Sequence, residues 1–461
     1  MAVLLLASAA CKKDSGPPKI GFSTCIENWP AAGGPHPVRS SLSVEAPRLL
    51  WAIDVAGSQS LGGRIVSSDG GPVLAGDRLA FQAGAFIYFV NKDGTDPQSY
   101  GAASSGSYPS GVVADLEGNV YSVAQGSIFS LDRTGRLRWQ GGGAGQLQGE
   151  FPYYDPPVLG PDGVVYGVAS DERVYALRTS DGKTLWSKPA PKDKYHASYM
   201  AGGVGNGLFV QMGADRTDVL NTTDGSTMGT IRVLIDGVPK TPSSGLSDVY
   251  AWTFGIAQSA DFVYDACGNL RWSKWSRLAP NASGVIAVGE RLVVTSYQTD
   301  EHGNPLSPNM MTLYDAEGTV VGGPMPVEGR PLAAGADGTI YTVRCEGGTP
   351  PINRIVAYTS DLLPLWSFDL GGDFCLGMNG NVVLDDDGVM YLKRTSPNLS
   401  STQVMAIQTR SPGLADSSWP SWRHDNRGTA WLVPGVATSG NADAHEAQEV
   451  SEAADLPGET R

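Results

Sequence analysis

The sequence has few charged side chains and no long apolar segment. Charged residues make up 17% of the 461 residues, and no apolar run reaches the roughly 18 residues that a membrane-spanning helix needs. Basic residues are scarce relative to acidic ones, since 33 Lys and Arg stand against 47 Asp and Glu and the net charge is −14. This balance argues against nucleic acid as a partner and against broad adhesion to anionic lipid.

Residues with catalytic or metal-binding chemistry are also sparse. The chain has 5 His, and none stands at metal-ligand spacing from Cys, Asp or another His. No Gly-x-Ser-x-Gly nucleophile motif is present. His424 and Asp425 are adjacent, but inside a Trp-rich segment we interpret them as a structural hydrogen-bonding pair. The sequence therefore predicts no catalytic residue, no metal ligand and no cofactor.

Glycine and proline are abundant instead, with 59 Gly and 31 Pro, as is typical of a large, turn-rich all-β domain. One stretch recurs along the chain, and its clearest copy runs from Pro156 to Trp186. It reads as short strands separated by the turns Asp162-Gly163 and Asp181-Gly182, which supply the positive φ that a tight hairpin needs. The pattern is typical of an antiparallel meander of about four strands.

Two spacings mark the repeat. Gly-x-x-Tyr recurs at Tyr121, Tyr166, Tyr341 and Tyr391. Asp-x-x-Gly-x-x-x-Trp is complete at Trp139 and Trp272. With looser copies the units number eight, at about 48 residues each. A four-stranded unit cannot bury both of its faces alone, so we predict an eight-bladed β-propeller of four-stranded antiparallel blades.

A propeller must also close, because an open ring leaves two exposed edge strands. The stretch Leu49–Val55 reads as an outer strand without a unit of its own, and the eighth unit ends near Ile407 without an outer strand. We therefore predict that the N-terminal strand completes the last blade. The predicted segments are a signal at 1–11, a Gly/Pro/Ser-rich tether at 12–48, the propeller at 49–432 and an acidic disordered tail at 433–461.

The strand Ala176–Trp186 resembles the tryptophan-docking motif of pyrroloquinoline-quinone (PQQ)-type propellers. The resemblance implies that the Trp of a repeat packs flat on the neighbouring blade. The docking positions are Trp51, Trp139, Trp186, Trp272 and Trp366. A later segment is similar to one found beside the closure of such propellers, and its closure residues are Trp419, Trp422, Arg423 and Asp425. The family holds quinone dehydrogenases and non-catalytic envelope proteins, so it implies a fold rather than a function.

Residues 1–11 resemble a bacterial lipoprotein signal, in which a short apolar run ends in small residues and a Cys. The resemblance makes Cys11 the acylated residue and anchors the protein to an envelope membrane, at the periplasmic face of the outer membrane or the cell surface. An ordinary N-terminus with a chance Cys and a secretory signal without lipidation remain alternatives.

The other four cysteines permit two disulfides in an exported protein. In a propeller, the connection between strands 2 and 3 shares one face with the linker to the next blade, which favours a Cys345–Cys375 pair. The turn between strands 3 and 4 shares the opposite face with the N-terminal tether, which favours a Cys25–Cys267 pair. Free thiols remain the alternative.

The connections between strands 2 and 3 are short in the early repeats and long in the last three. The long ones are Tyr297–Met310, Arg344–Asn353 and Arg394–Gln403. They are expected to project from one face of adjacent blades and to bind a partner, although neutral insertion is the alternative. The candidate contact residues are Tyr297, Glu301, His302, Arg344, Asn353, Arg394 and Asn398.

The sequence therefore predicts a monomeric, non-catalytic propeller lipoprotein of the bacterial cell envelope that binds one or more envelope proteins. It resembles in architecture the propeller lipoproteins of the outer-membrane barrel-assembly machinery. The main alternative is a PQQ-dependent oxidoreductase of the quinoprotein dehydrogenase type. Those enzymes typically carry a vicinal disulfide, and no two cysteines are adjacent here. A structural or sensory envelope protein without a soluble partner is a third reading.

Overall fold

Every element that the computed structural model describes is a β-strand. The described residues are 20–22, 47–56, 70–101, 110–124, 126–142, 156–169, 171–190, 199–211, 216–232, 234–235, 238–239, 253–256, 260–264, 270–275, 281–288, 291–299, 305–315, 318–346, 352–371, 375–376, 382–395, 401–415, 421, 425, 427 and 430–432. Within these ranges, no helix is long and apolar enough to cross a membrane.

The N-terminal region provides two strands that join distant blades. These are β1 (Ile20–Phe22) and β2 (Arg48–Ala56). The first two blades follow. Blade 1 contains β3 (Val73–Ala75), β4 (Arg78–Ala83), β5 (Phe86–Asn91) and β6 (Gln98–Gly101). Blade 2 contains β7 (Val113–Ala114), β8 (Val120–Ala124), β9 (Ser127–Leu131) and β10 (Leu137–Gly141).

Three further blades lie in the middle of the chain. Blade 3 contains β11 (Val158–Gly160), β12 (Val164–Ala169), β13 (Arg173–Arg178) and β14 (Thr184–Pro189). Blade 4 contains β15 (Tyr199–Val204), β16 (Gly207–Gln211), β17 (Arg216–Asn221) and β18 (Thr227–Arg232). A small hairpin of β19 (Leu234–Ile235) and β20 (Val238–Pro239) precedes blade 5. Blade 5 contains β21 (Thr253–Ile256), β22 (Ala260–Tyr264) and β23 (Leu270–Trp275).

The last three blades complete the ring. Blade 6 contains β24 (Asn281–Val288), β25 (Arg291–Thr299), β26 (Pro305–Tyr314) and β27 (Val320–Val327). Blade 7 contains β28 (Arg330–Ala334), β29 (Ile340–Glu346), β30 (Ile352–Tyr358) and β31 (Pro364–Asp369). Blade 8 contains β32 (Cys375–Leu376), β33 (Val383–Leu384), β34 (Val389–Thr395) and β35 (Ser401–Gln408). A final strand, β36 (Trp431–Leu432), follows.

The sheets are arranged as the blades of a propeller. First strands of neighbouring blades contact each other, as in β3 with β7, β7 with β11 and β24 with β28. These strands therefore surround the axis, and the fourth strands form the rim. Strands alternate in direction within a blade, so strand 2–3 hairpins and the linkers between blades share one face, here called the hairpin face. The strand 1–2 and 3–4 turns share the opposite face, here called the turn face.

A β-bulge precedes the Trp position in seven of the blades. In blade 3, Thr184 opposes Leu177 while Trp186 opposes Ala176, so Leu185 is the extra residue. A bulge bends its strand and redirects the side chains that follow it. At this position the bulge leaves Leu185 46% exposed and turns the Trp186 ring toward the next blade, where it is buried.

The Trp ring lies against the strand 3–4 turn of the next blade. Trp139 Nε1 donates a hydrogen bond to Thr179 O at 2.8 Å, and a Cβ placed on Gly182 would lie 2.5 Å from Trp139 Cε3. Gly182 has a φ of +71°, so the turn needs glycine for its backbone as well as for the ring. The same arrangement joins Trp186 to Thr222 O and Gly225, and Trp51 to Lys92 O and Gly94.

The strand 2 tyrosine and the outer-strand tryptophan meet inside four of the blades, which are blades 2, 3, 7 and 8. The strand 2 tyrosine packs against the outer-strand tryptophan of its own blade, with ring centroids 5.8 to 6.1 Å apart. The pairs are Tyr121 with Trp139, Tyr166 with Trp186, Tyr341 with Trp366 and Tyr391 with Trp51. Tilted aromatic pairs of this kind each contribute about 1 kcal/mol beyond burial. Trp272 lies on β23, opposite Val263.

The N-terminal strand closes the ring, as predicted. β2 pairs antiparallel with β35 from Arg48 to Ala56 and becomes the outer strand of blade 8. Across the seam with blade 1, Lys92 Nζ lies 2.5 Å from Asp385 Oδ2, and the buried Lys393 donates to Gln82 O at 3.0 Å. The seam between the chain's two ends is therefore joined by hydrogen bonds, an ion pair and a docked Trp.

Blade 4 differs from a plain four-stranded blade. β1 pairs with its outer strand β18, and β36 pairs parallel with its inner strand β15, so the sheet has six strands. The predicted tether at 12–48 therefore contributes a strand, which its Gly/Pro/Ser-rich composition did not indicate.

Candidate binding surface

The hairpins between strands 2 and 3 differ between early and late blades. In blade 1 the outer strand pairs up to Phe86, the first residue after the turn, and in blade 3 it pairs up to Arg173. The early hairpins therefore end level with their neighbouring strands. In blade 6 the β25–β26 ladder continues to Thr299 opposite Pro305. The flanking strands stop short of this point, because β24 pairs only as far as Tyr297 and β27 only as far as Asn309.

Blade 7 has a similar extension. The β29–β30 ladder continues to Glu346 opposite Ile352. In the part of the chain that the structure describes, β28 pairs only as far as Val343 and β31 only as far as Arg354. Blades 6 and 7 thus each project a two-stranded β-ribbon from the hairpin face.

Blade 8 lacks a projecting ribbon. Its β34–β35 ladder ends at Thr395 opposite Thr402, and β2 pairs to Ser401 while β32 pairs with Thr395. The strand 2–3 hairpin of blade 8 is therefore covered on both sides.

The prediction that these three segments are loops is wrong for their described residues, which lie in strands. Tyr297, Arg344, Asn353 and Arg394 all lie in strands, because the flanking residues continue the antiparallel ladders instead of leaving them. Glu301, His302 and Asn398 lie outside the described residues, as do the tips at 300–304, 347–351 and 396–400.

Arg394 makes structural contacts inside the propeller, and its role as a partner contact stays a prediction. Its side chain is buried, and Nη1 donates to Leu370 O at 2.7 Å and to Gly371 O at 2.6 Å. Nε donates to Gln403 Oε1 at 2.8 Å, and Gln403 Nε2 reaches Asp54 Oδ1 on β2 at 2.8 Å. Burial lowers the pKa of the guanidinium. This network ties the linker after blade 7 to the closing strand.

Asn353 is buried and Arg344 forms an ion pair with the linker before blade 7, and their role as partner contacts stays a prediction. Asn353 is 2% exposed, and its amide atoms have no hydrogen-bond partner among the described residues. Arg344 Nη1 lies 3.1 Å from Glu328 Oε2, which Arg354 Nη1 approaches at 3.6 Å. Glu328 lies in the linker between blades 6 and 7, so these arginines hold the linker against blade 7.

The turn-face end of the axis is covered by the chain after blade 8, here called the axial segment (described residues from Ser411 to Leu432). Ala415 N donates to Ala334 O on blade 7 at 2.8 Å. Ala114 N on blade 2 donates to Arg427 O at 3.0 Å. In blade 4, Gly203 N donates to Ala430 O at 2.9 Å, and Trp431 stacks on Tyr166 of blade 3. The axial segment therefore connects blades on different sides of the axis.

The closure residues are only partly described. Asp425 is buried, and its Oδ1 accepts a hydrogen bond from Arg427 N at 3.0 Å. Its Oδ2 lies 3.3 Å from Arg427 Nη2. Trp419, Trp422, Arg423 and His424 lie outside the described residues. Asp425 thus shapes the backbone that meets Ala114 of blade 2.

Carboxylates also lie beside the strand 2 tyrosines, but they serve the turns. Tyr121 OH donates to Asp115 Oδ2 at 2.6 Å, while the same carboxylate accepts from Asn119 N at 2.8 Å. Burial, reinforced by Asp115, raises the pKa of Tyr121 above its usual range. Burial raises the pKa of Tyr341 to about 12. Tyrosines held neutral in this way are hydrogen-bond donors rather than bases.

The fit to a calcium-assisted quinone cofactor is poor in the described part of the chain. No three His, Cys, Asp or Glu side chains converge there as metal ligands. Two buried or half-buried carboxylates, Asp115 and Asp385, already accept hydrogen bonds from the backbone of their own turns. The described residues therefore offer no evident donor set for such a group.

Two of the cysteines can be placed by their backbone. Cys345 pairs with Asn353 at the end of β29, and Cys375 pairs with Thr395 at the start of blade 8. β29 and β32 are packed against each other. Cys345–Cys375 stays a prediction; Cys11, Cys25 and Cys267 lie outside the described residues.

Comparisons with known proteins give a family match and similar folds. A family model described as outer membrane protein assembly factor BamB matches residues 50–233. No curated protein matches the sequence. Three solved structures illustrate the likeness. Quinohemoprotein alcohol dehydrogenase from Comamonas testosteroni has 12% identity and a TM-score of 0.52, over 79% of this chain and 76% of that one. The computationally designed Ika8 protein has 12% identity and a TM-score of 0.51, over 76% and 99%. BamB from Moraxella catarrhalis has 12% identity and a TM-score of 0.48, over 79% and 100%.

Proposed function

We propose that this chain, a β-propeller of PQQ-like repeats, is a non-catalytic scaffold of the bacterial cell envelope that binds another envelope protein. The binding surface is the rim of the hairpin face at blades 6 and 7. The observation that carries the proposal is the pair of β-ribbons that extend past their neighbouring strands at Thr299 and Glu346.

A projecting ribbon suits protein recognition for a physical reason. On the outer sides of β25 and β29, the ladders with β24 and β28 stop at Tyr297 and Val343, before the ribbons end. Such edges accept an added strand or a complementary loop, while the propeller behind them supplies rigidity. Two ribbons on adjacent blades give one continuous surface rather than two separate ones.

The family match adds independent support, because the model that covers residues 50–233 is described as an assembly factor for outer membrane proteins. We extend this description to the present chain as a proposal. The predicted acylation of Cys11 fits the same location and would anchor the scaffold to a membrane.

Shortening the hairpins tests the proposal. One variant deletes Gln298–Leu306 from blade 6, which leaves a four-residue connection between Ser296 and Met310. It also replaces Glu346–Ile352 of blade 7 by Asn-Gly, a two-residue turn suited to a hairpin. A matched control places Asn-Gly at Gly84-Ala85, the corresponding turn of blade 1.

Purified protein is presented to solubilised envelope, and captured proteins are identified by mass spectrometry. We expect a defined envelope protein to be captured by the parent and the blade 1 control and to be lost from the shortened variant. Unfolding midpoints by urea check that the shortened variant folds. If the folded, shortened variant captures the same protein, the binding surface lies elsewhere.

The oxidoreductase alternative has a separate and inexpensive test. Absorbance is recorded after PQQ and Ca²⁺ are added to the purified protein. A shifted, saturable quinone spectrum that reverses on chelation of Ca²⁺ would favour the enzyme reading, and an unchanged spectrum would favour the scaffold.

A further inference from the structure

A second surface, at the outer edge of blade 4, carries the N-terminal region. β1 pairs antiparallel with β18, with Ile20 opposite Ile231, Gly21 opposite Thr230 and Phe22 opposite Gly229. Within the described ranges, the outer strands of the other blades carry no added strand. The repeat therefore does not itself require β1, and its docking on blade 4 needs another explanation.

The direction of β1 sets where the chain leaves the blade. β18 runs from the turn face to the hairpin face, so the antiparallel β1 has Ile20 at the hairpin face and Phe22 at the turn face. β2 starts at Arg48, opposite Gln408, which is at the turn face of blade 8. The chain therefore enters β1 at the hairpin-face end of blade 4.

This docking shortens the tether to an anchor at Cys11. Ile20 follows Cys11 by nine positions, and an extended chain of that length reaches about 30 Å. Without the docked strand, the first anchored residue would be Arg48, 37 positions after Cys11, with a reach of about 120 Å. The short tether to Ile20 limits the distance between blade 4 and the membrane. The long tether to Arg48 would not limit the distance of any one blade.

Basic residues occur at this end of blade 4 and in the sequence that leads to it. Arg216 and Arg232 stand opposite one another at the hairpin-face end of β17 and β18. Lys12, Lys13 and Lys19 occur between Cys11 and β1 in the sequence. Basic residues next to a lipid anchor are attracted by anionic headgroups. The attraction depends on the charges near the membrane surface, so the net charge of −14 of the whole chain does not prevent it.

We propose that the β1–β18 pairing holds the lipid anchor at the outer edge of blade 4, so that the propeller stands edge-on to the bilayer. Blade 4 is then nearest the lipid, and blade 8, four blades away in a ring of eight, is farthest. The ribbons of blades 6 and 7 are held away from the membrane, where a partner can reach them. This inference rests on the proposed acylation of Cys11.

Energy transfer to the membrane measures the orientation. The acylated full-length protein is reconstituted in phosphatidylethanolamine–phosphatidylglycerol vesicles that contain an acceptor-labelled lipid. A donor is attached through an unnatural residue at Asp224 or at Leu363, which occupy equivalent strand 3–4 turns in blades 4 and 7. We expect at least twofold higher transfer from position 224 than from position 363.

Two variants separate orientation from other effects. Gly21→Pro with Phe22→Pro disrupts β1, because adjacent residues direct their N–H groups to opposite sides and one of the two must face β18. Ser40→Pro with Ser41→Pro adds the same number of prolines without touching a described strand. We expect the first variant to bring the two transfer values together and the second to leave their ratio unchanged.

The strand pairing and the anchor are checked independently. Gly21→Cys with Thr230→Cys should form a disulfide under mild oxidation, since directly opposed residues have suitable Cα spacing, whereas Gly21→Cys with Asp224→Cys should not. Intact mass reports the acylation. Equal transfer from both positions in an acylated, cross-linkable protein would overturn the edge-on orientation alone. An unacylated chain would overturn both the orientation and the anchoring that it rests on.

Discussion

Blades 1 to 3 and blades 6 and 7 are built from the same repeat, yet they agree at one face and differ at the other. At the turn face, Gly135 N donates to Asp132 O at 2.8 Å in blade 2, and Gly318 N donates to Asp315 O at 3.0 Å in blade 6. At the hairpin face, the early turns end level with the blade, whereas blades 6 and 7 extend into ribbons.

The difference separates residues that specify the fold from residues free to acquire a function. The Asp-Gly turn, the strand 2 tyrosine and the outer Trp all belong to contacts between or within blades. Their positions recur in the sequence because the same contacts recur in several blades. The hairpin face carries no such shared requirement, so its length can vary between blades.

The largest expected effect comes from removing a docked ring. Trp186→Ala should lower the free energy of unfolding by about 3–5 kcal/mol, because the ring is buried against Gly225 and its Nε1 bonds Thr222 O. Leu185→Ala, at the exposed bulge residue beside it, should change stability by about 0.5 kcal/mol or less. Similar urea midpoints for the two variants would mean that the docked Trp ring does not stabilise the turn face.

Arg394→Ala tests whether a predicted contact residue of the late blades is structural. The buried guanidinium holds Leu370 O, Gly371 O and Gln403, so its loss should cost about 2–4 kcal/mol. Arg291→Ala, which removes an exposed pair with Asp361, should cost about 0.5 kcal/mol or less. Partner capture by the folded Arg394→Ala protein should be retained. Normal stability with lost capture would restore Arg394 as a contact residue.

Gly182→Ala and Gly371→Ala separate ring contact from backbone strain. Both glycines have positive φ, at +71° and +61°, so both substitutions strain the backbone by about 1 kcal/mol. A Cβ at position 182 would also meet the Trp139 ring at 2.5 Å, whereas position 371 has nothing within 4 Å. Thermal unfolding should show Gly182→Ala as less stable by a further 1–3 kcal/mol or so. Equal losses would mean that the ring shifts without cost.

The strand 2 tyrosines should make the fold sensitive to alkali. The pKa of Tyr341 is about 12 in the folded state, above the ordinary value of about 10, because the phenol is buried. The folded state therefore holds its proton while the unfolded state loses it, and stability falls as the pH rises from about 10 to about 12. Unfolding midpoints measured across this range should decline less steeply for Tyr341→Phe. An unchanged slope would mean that other groups dominate.

Much of the fold was predictable because its cause is local and repeated. The Tyr and Trp spacings gave the blade count, and the isolated strand at Trp51 gave the closure. The ribbons were read as loops because Pro305, Pro308 and the glycines near position 347 are turn-like in composition, while the pairing that extends them depends on the opposite strand. Register across a hairpin is a property of two strands together.

The candidate site was less predictable than the fold. Arg394 and Asn353 sit at strand positions whose inward or outward direction depends on a one-residue register. The ion pair of Lys92 with Asp385 joins residues about 290 positions apart, and no local pattern marks it. The docking of Ile20–Phe22 on blade 4 had no sequence signal beyond two bulky apolar residues.

Site-specific photo-cross-linking tests the central claim most directly. A photoreactive residue is placed at Gln298 on the blade 6 ribbon, or at Glu172 in the tight strand 2–3 turn of blade 3. In intact envelope, we expect a cross-link to a defined envelope protein from position 298 and none from position 172. A cross-link to that protein from position 172 with none from position 298 would contradict it.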